Sequence, residues 1–464
     1  MSDETTPKTS RRSFLQATSG VVAGAAMTKL NIPGFHSSND DTIQVALVGC
    51  GGRGSGAAVN AMATKAGNLK LVAMADVFAD RQKDSYDAVS AEGKKMPGKF
   101  DVPKERMFLG FDAYKKAMDC LRPGDIVILT TPPAFRWVHF TYAISKKLNV
   151  FMEKPVTTDG PTSKRMLKLA DEAKAAGLKV GVGLMSRHSV GMQELYQRIR
   201  NGEIGDVTFM RGYRMHGPAA SSESTFSMKK DGMSHLEFQI RRFHSFLWCS
   251  GGCFNDFNIH LIDQMCWMKD AWPTKVYATG GRHYKISPDN TPFVDQNLDT
   301  YGCEYTFADG TKMFFDGRII QDAQTIYSSH IHGTKGVAIA SRSGDCGGPQ
   351  ATFSGHNENK DRQIWASTDR SNPYQNEWEA LVKAIKDNKP HNEVQRGVMA
   401  SLVSSMGRMA AHTGQEVSVD DILNGDHEFA PNVDKLTYES DAPVMPGADG
   451  LYPMPEPGKK TREY

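Results

Sequence analysis

A chain of 464 residues exceeds what one hydrophobic core ordinarily supports, so two domains are expected after any leader. With 55 Lys and Arg against 53 Asp and Glu, the formal charge of +2 excludes the broad basic field that nucleic-acid binding requires and leaves a small molecule as the expected partner. No stretch downstream of the N-terminal segment approaches the roughly twenty apolar residues of a membrane span.

The polar first residues lead into Ser10-Arg11-Arg12-Ser13-Phe14-Leu15-Gln16 and then a weakly apolar run from Ala17 to Met27. Paired arginines followed by Phe-Leu and a Gly/Ala-containing apolar run resemble a twin-arginine export signal, a pathway that carries folded proteins. Residues 1–41 are therefore expected to be signal and linker, the twin-arginine export machinery a partner, and the location periplasmic or otherwise extracytoplasmic. No A-x-A cleavage site stands out after Met27, and no Cys follows the apolar run, which argues against a lipoprotein. Seven Cys, at 50, 120, 249, 253, 266, 303 and 346, leave at least one thiol free. Export permits one disulfide. Cys249 and Cys253 lack the second ligand pair of a zinc site, so they are expected as small buried residues, and no metal centre is expected.

From Thr42 short apolar runs alternate with amphipathic stretches. Strands are expected at 43–48, 69–75, 107–109, 126–130, 150–152 and 178–182, with helices near 55–65, 79–91, 112–120, 136–147 and 161–175 between them. That alternation predicts a parallel sheet built from crossover units, and six strands are the count of a complete dinucleotide-binding domain, placed at 42–183. After Gly183 the texture changes. A helix at 190–200 and a strand at 207–214 precede a Ser/Met/Lys-containing excursion from 219 to 235; a helix follows near 256–268, then strands at 275–279, 300–307, 312–319, 330–332 and 337–340. Helices near 373–388 and 393–413, the second stopped by Gly414, complete a second domain at 184–429, and the Pro- and Gly-rich residues 430–464 read as an extended C-terminal arm. The expected fold class is α/β: a doubly wound Rossmann sheet, then an α+β domain with a largely antiparallel open sheet.

Gly49-Cys50-Gly51-Gly52-Arg53-Gly54 fits G-x-G-x-x-G directly after a strand and before a helix, the context that makes the pattern informative. Glycine is needed there because the backbone must turn tightly and approach a pyrophosphate, to which the helix N-terminus offers N–H groups and a positive dipole end. The second strand ends in Asp76, about twenty residues on, where a carboxylate bonds the adenosine ribose and repels a 2′-phosphate, so NAD is expected over NADP. Arg53 is placed to reach a phosphate.

The fifth strand runs into Glu153-Lys154-Pro155, and the fourth into Thr130-Thr131-Pro132-Pro133. Pro155 holds Lys154 extended and off a helix. Together with Gly251-Gly252 followed by Asp256-x-x-x-His260-x-x-Asp263, the segment His332-Gly333-Thr334-Lys335-Gly336 and the stretch 372–423, these elements resemble the Gfo/Idh/MocA oxidoreductases over nearly all of residues 42–425. The resemblance implies a nicotinamide cofactor contacted by Thr131, Pro132, Glu153 and Lys154, a carbohydrate substrate, and a homodimer or homotetramer formed through the face of the second sheet. Two departures stand out: Arg136 occupies the position where many members have His, and the segment 219–247, with His235, Arg241, Arg242 and His244, has no family counterpart.

Asp256 and His260 are four apart and share one helix face, with Asp263 three further on and placed to orient the imidazole. Oxidising a carbinol needs a base for the hydroxyl proton, for which His260 is the candidate. Lys154 as an ammonium would stabilise alkoxide character, and Asp256 would bind a neighbouring hydroxyl or set the charge of Lys154. Arg136, Arg241, Arg242 and Asp263 are substrate-contact candidates; His139, His216 and His235 are read as structural or surface residues, and Met399, Met406 and Met409 as core. Three functions are consistent with these residues: an exported NAD-dependent sugar, polyol or glycoside oxidoreductase; a redox-neutral glycoside-cleaving enzyme with tightly held NAD; and a non-catalytic sugar-binding protein on a Rossmann frame.

Overall fold

The computed structural model describes residues 41–463; the signal-like segment lies outside the described residues. Six parallel strands, β1 (Ile43–Val48), β2 (Leu69–Asp76), β3 (Met107–Leu109), β4 (Ile126–Leu129), β5 (Asn149–Met152) and β6 (Val180–Val182), lie in the order β3-β2-β1-β4-β5-β6. The helices between them are α1 (Gly52–Ala63), α2 (Ala79–Gly93), α3 (Ala113–Asp119), α4 (Arg136–Ser145) and, leading to β6, α5 (Gly160–Ala175). The period-two alternation of a strand explains why helices cover both faces. Val45 and Leu47 pack with Ala57, Ala61 and Met62 of α1, while Ala46 and Val48 pack with Ala117 and Met118 of α3 and with Phe140 of α4. The strand order reverses between β1 and β4, and ligands of open α/β sheets bind beyond the carboxyl ends at that point.

The chain continues through α6 (Val190–Arg200), β7 (Val207–His216), α7 (His235–Arg241) and α8 (Gly252–Lys269) to β8 (Lys275–Gly281), β9 (Thr300–Thr306), β10 (Lys312–Ile319), β11 (Ile326–Gly333), β12 (Gly336–Ser341), β13 (Ala351–Ser354) and β14 (Gln363–Ala366). Helices α9 (Pro373–Lys386) and α10 (Val394–Thr413) and the short strand β15 (Val417–Ser418) follow. The second sheet is ordered β14-β13-β12-β11-β7-β10-β9-β8-β15, with every neighbouring pair antiparallel except β7 and β10. Along β9 and β10 burial alternates residue by residue, because α8 and α10 cover one face, where Phe254, Leu261, Met265, Val403 and Met406 meet Tyr305, Met313 and Phe315. Gly414 ends α10 in the left-handed region, with φ of 71°, as its place in the sequence predicts.

Helix α9 belongs to the first sheet's packing: Trp378, Leu381, Val382 and Ile385 lie in the cluster around Val45, Leu47 and Phe151. Residues 430–463 contain one short 3-10 turn and lie against the segment between β7 and α8, where Phe429, Val433, Val444 and Tyr452 meet Leu236, Phe238, Phe246 and Trp248. All seven thiols are free, so the disulfide that export permits is absent from the described residues.

Candidate active site

At the carboxyl end of β1 the backbone turns at Gly49 with φ of 99°, where a Cβ would lie 2.6 Å from the Thr131 amide nitrogen. A Cβ on Gly54 would lie 2.0 Å from the Gly49 carbonyl, so α1 starts this close to the turn only because that residue has no side chain. Gly51 and Gly52 instead border open space: an added Cβ meets only Arg81 Nη1 at 3.9 Å in the first case and nothing within 4 Å in the second. Gly51 caps α1 with no side-chain hydrogen bond, leaving the first-turn amides facing that space. An open cradle of amides at a helix N-terminus fits the pyrophosphate of a dinucleotide. Asp76 closes the turn from β2, accepting from the Cys50 amide at 2.6 Å and the Phe78 amide at 2.9 Å, and burial pushes its carboxyl above the usual range.

The cradle opens into a cavity of about 660 Å³ that runs past Thr131, Pro132 and Glu153 to Lys154, Asp256 and His260. The three candidate catalytic residues and the cofactor candidates Gly49, Gly51, Gly52, Arg53, Gly54, Asp76, Thr131, Pro132 and Glu153 thus border one space. The peptide bond between Lys154 and Pro155 is cis. Lys154 Nζ donates to the Asp256 carbonyl at 2.5 Å and lies 3.5 Å from Asp256 Oδ1. Burial opposes the Asp256 charge, but Lys154 and His244 outweigh it and hold the carboxyl well below the ordinary carboxylate range. His260 Nδ1 is buried with no hydrogen-bond partner among the described residues; burial, reinforced by Lys154 and Arg214 against the opposing Asp345, pushes the imidazole down to about 4. It is therefore neutral at neutral pH.

Several sequence expectations are corrected here. Asp263 does not orient His260: it is buried and forms a two-bond pair with Arg187 at 2.7 and 2.8 Å, away from the cavity. One helical turn brings the two side chains to the same side, but the guanidinium is the stronger partner. Arg136 borders the cavity yet spends two nitrogens on backbone, donating to the carbonyls of Leu129 and Thr131, so it clamps the end of β4 instead of offering a free cation. Arg53 reaches across to Glu153 at 2.6 Å and lies over the Tyr374 ring, so its charge is directed at a carboxylate and not at the cradle. Arg241 pairs with Asp80 and Glu237 over the Phe78 ring, and Arg242 donates to Ser224 Oγ and the Ser222 carbonyl. Both line the cavity, Arg241 with its charge paired to two carboxylates and Arg242 held by neutral oxygens.

Sequence reasoning passed over Ser221, His244, Asp345 and Tyr374, all of which line the same cavity. His244 Nε2 lies 3.1 Å from Asp256 Oδ2. Its one sequence signal was its place in the segment 219–247, which has no family counterpart.

A doubly wound sheet with an amide cradle and a terminal acid, joined by one cavity to a Lys, Asp and His cluster, defines a nucleotide-dependent oxidoreductase. Residues 43–184 match the family described as an oxidoreductase family with NAD-binding Rossmann fold, and residues 192–339 match the GFO/IDH/MocA C-terminal domain. The chain belongs to the Gfo/Idh/MocA oxidoreductases. Its relatives include an inositol 2-dehydrogenase of Pseudarthrobacter chlorophenolicus, 24% identical over 206 residues, which are 44% of this chain and 54% of that protein. Another is the glycosyl hydrolase family 109 protein 1 of Akkermansia muciniphila, 26% identical over 187 residues, 39% of this chain and 35% of that protein. The chain thus spans about half or less of the length of these curated relatives. Among solved structures, a levoglucosan dehydrogenase in complex with NADH and levoglucosan has the same fold, with a TM-score of 0.61 at 16% identity over 82% of this chain and 99% of that one.

Proposed function

We propose that this chain is an exported, NAD-dependent oxidoreductase that acts on a hydroxyl-bearing carbon of a sugar, polyol or glycoside. The observation that carries the reading is the single cavity joining the glycine cradle to Lys154, Asp256 and His260. NAD, when bound, accepts a hydride from the carbinol carbon and can return it. The amides after Gly51 hold its pyrophosphate and Asp76 its ribose, while Thr131, Pro132 and Glu153 flank the nicotinamide end. Lys154, its charge balanced by Asp256, stabilises negative charge on the reacting oxygen. His260, neutral and with its Nδ1 unpartnered among the described residues, accepts the hydrogen bond of the hydroxyl and draws its proton away. The twin-arginine-like leader supports a periplasmic location, and the half-exposed alternate residues of β9 and β10, with Phe314 among them, support assembly into a homodimer or homotetramer.

A second reading is redox-neutral glycoside cleavage with resident NAD. It is favoured by what covers the Asp76 side of the cavity: Arg241, at the end of α7, pairs with Asp80 beside Phe78, and Tyr438, from the C-terminal arm, donates to the Val77 carbonyl at 2.6 Å. An exported enzyme with no free nicotinamide pool needs such retention. The test is mass spectrometry of the denatured protein for released nicotinamide, then a panel of inositols, sugars and aryl glycosides with and without added NAD. Accumulating NADH identifies the dehydrogenase, and glycoside cleavage without added NAD the redox-neutral enzyme. Binding of sugars with neither reaction refutes both readings and leaves a sugar-binding protein.

A further inference from the structure

We propose that Ser221, His244 and Asp256 form a second proton-handling unit of this site, with His244 the resting place of the hydroxyl proton when the carbinol is oxidised. The inference rests on the oxidoreductase reading and adds to it two residues that the family pattern does not contain.

The segment between β7 and α8 doubles back so that Ser221 Oγ and His244 Nδ1 meet at 2.7 Å, and both residues border the cavity. The other ring nitrogen, Nε2, lies 3.1 Å from Asp256 Oδ2, while Asp256 Oδ1 faces Lys154 Nζ at 3.5 Å. One carboxylate thus has an ammonium on one oxygen and an imidazole on the other. The His244 ring is flanked by Phe243 and Phe257, at centroid distances of 3.9 and 5.1 Å. Ser221 is pinned as well: its hydroxyl accepts from the His244 amide at 3.2 Å, and its carbonyl accepts from the hydroxyls of Ser245 and Ser224 at 2.6 and 3.2 Å. This is far more fixed geometry than a surface loop needs.

An ionised Asp256 accepts the Nε2–H bond, which fixes the tautomer and leaves the Nδ1 lone pair facing the Ser221 hydroxyl. A hydroxyl, an imidazole and a carboxylate in that order move a proton in one direction, with the carboxylate stabilising the imidazolium that forms. In the step proposed here the C–H bond breaks and its electron pair passes, with the hydrogen, to the oxidised nicotinamide. The O–H bond breaks and its electron pair forms the carbonyl. The released proton joins Ser221 Oγ as the serine's own proton moves to His244 Nδ1, giving an imidazolium beside Asp256. His260 draws on the same proton, but burial lowers its imidazole, and Lys154 and His244 lower the Asp256 carboxyl.

The test uses the NAD-loaded protein. Nitrogen-15 NMR of labelled imidazoles should show one histidine as the neutral Nε2–H tautomer; its signals vanish in His244→Gln and shift in Asp256→Asn and Ser221→Ala. In single-turnover NAD reduction with the first reactive member of an inositol and methyl glycoside panel, His244→Gln should be slowed about a hundredfold and Ser221→Ala about tenfold, with NAD affinity kept within about twofold. Added imidazole should restore part of the rate in His244→Gly, an effect that a purely structural role would not produce. An Nδ1–H tautomer at His244, or wild-type rates in both His244→Gln and Ser221→Ala, overturns the inference alone. If the wild-type protein reduces NAD with no member of the panel, the oxidoreductase reading falls and this inference falls with it.

Discussion

Glu463 offers a direct measure of how firmly the C-terminal arm holds the catalytic elements. Its carboxylate is 3% exposed and takes two bonds from Arg408, at 2.8 and 3.0 Å, with His412 Nδ1 at 2.8 Å. Arg408 in turn donates to the carbonyl of Thr158, which follows the Lys154 element, and to that of Gly251, at the head of the helix bearing Asp256 and His260. Burial alone would raise the Glu463 carboxyl, but Arg408 and His412 outweigh it and hold it at about 2. Against an ordinary glutamate near 4.3, that depression corresponds to about 3 kcal/mol of stability at neutral pH. It agrees with the roughly 3–5 kcal/mol lost when one partner of a buried pair is removed. Because the folded value lies below the unfolded one, this stability is fully present above the unfolded value and lost as pH falls through about 2. Glu463→Gln keeps the shape and removes the charge. Urea unfolding followed by tryptophan fluorescence should therefore show wild type and variant separated by about 3 kcal/mol from about pH 5 to 8, and by less than half of that near pH 3. A separation at pH 7 under about 1 kcal/mol, or one that persists undiminished near pH 3, would refute the reasoning.

Lys154→Ala and His260→Ala should each slow NAD reduction in a single turnover by about a hundredfold or more while leaving NAD affinity nearly unchanged, because both side chains line the cavity but neither is part of the glycine cradle. Asp76→Ala should weaken NAD binding and narrow its preference over NADP in competition titrations, and an unmoved affinity ratio would reduce Asp76 to a turn-closing residue. Gly54→Ala places a methyl 2.0 Å from the Gly49 carbonyl and should cost about 1–3 kcal/mol in urea unfolding as well as most of the dinucleotide affinity. Replacing Arg11 and Arg12 by Lys should leave folding intact and strand the protein in the cytoplasm, as fractionation would show; undiminished periplasmic yield would dismiss the leader.

The first sheet was almost wholly legible, because strands buried on both faces write continuous apolar runs and the helices between them keep one apolar stripe. Boundaries moved where local chemistry overrode pattern. Helix α1 starts at Gly52, inside the glycine turn, and α8 starts at Gly252, four residues ahead of Asp256, so that aspartate sits within the helix. Strands β13, β14 and β15 went unread, since four or two residues carry too little alternation to register. Spacing on a helix put Asp256 and His260 on one face, and both border the cavity, but it assigned Asp263 to the imidazole when a guanidinium from another element, Arg187, was available to it. His244 was out of reach for the opposite reason: its partner Ser221 is brought to it by a loop path that no periodicity encodes.

The packing of α9 on the first sheet bears on the order in which the protein can be made. Trp378, Leu381, Val382 and Ile385 cover Val45, Leu47 and Phe151, and burying four such side chains contributes on the order of ten kcal/mol. During translation, a nascent chain that has completed β6 lacks that cover until β7 to β14 have left the ribosome. For that interval one flank of the nucleotide-binding sheet is covered by α1 but lacks the apolar side of α9, and the exposed part is the kind of surface chaperones hold. A fragment ending near residue 184 would carry every element of the glycine cradle and still lack the lining that keeps its sheet soluble.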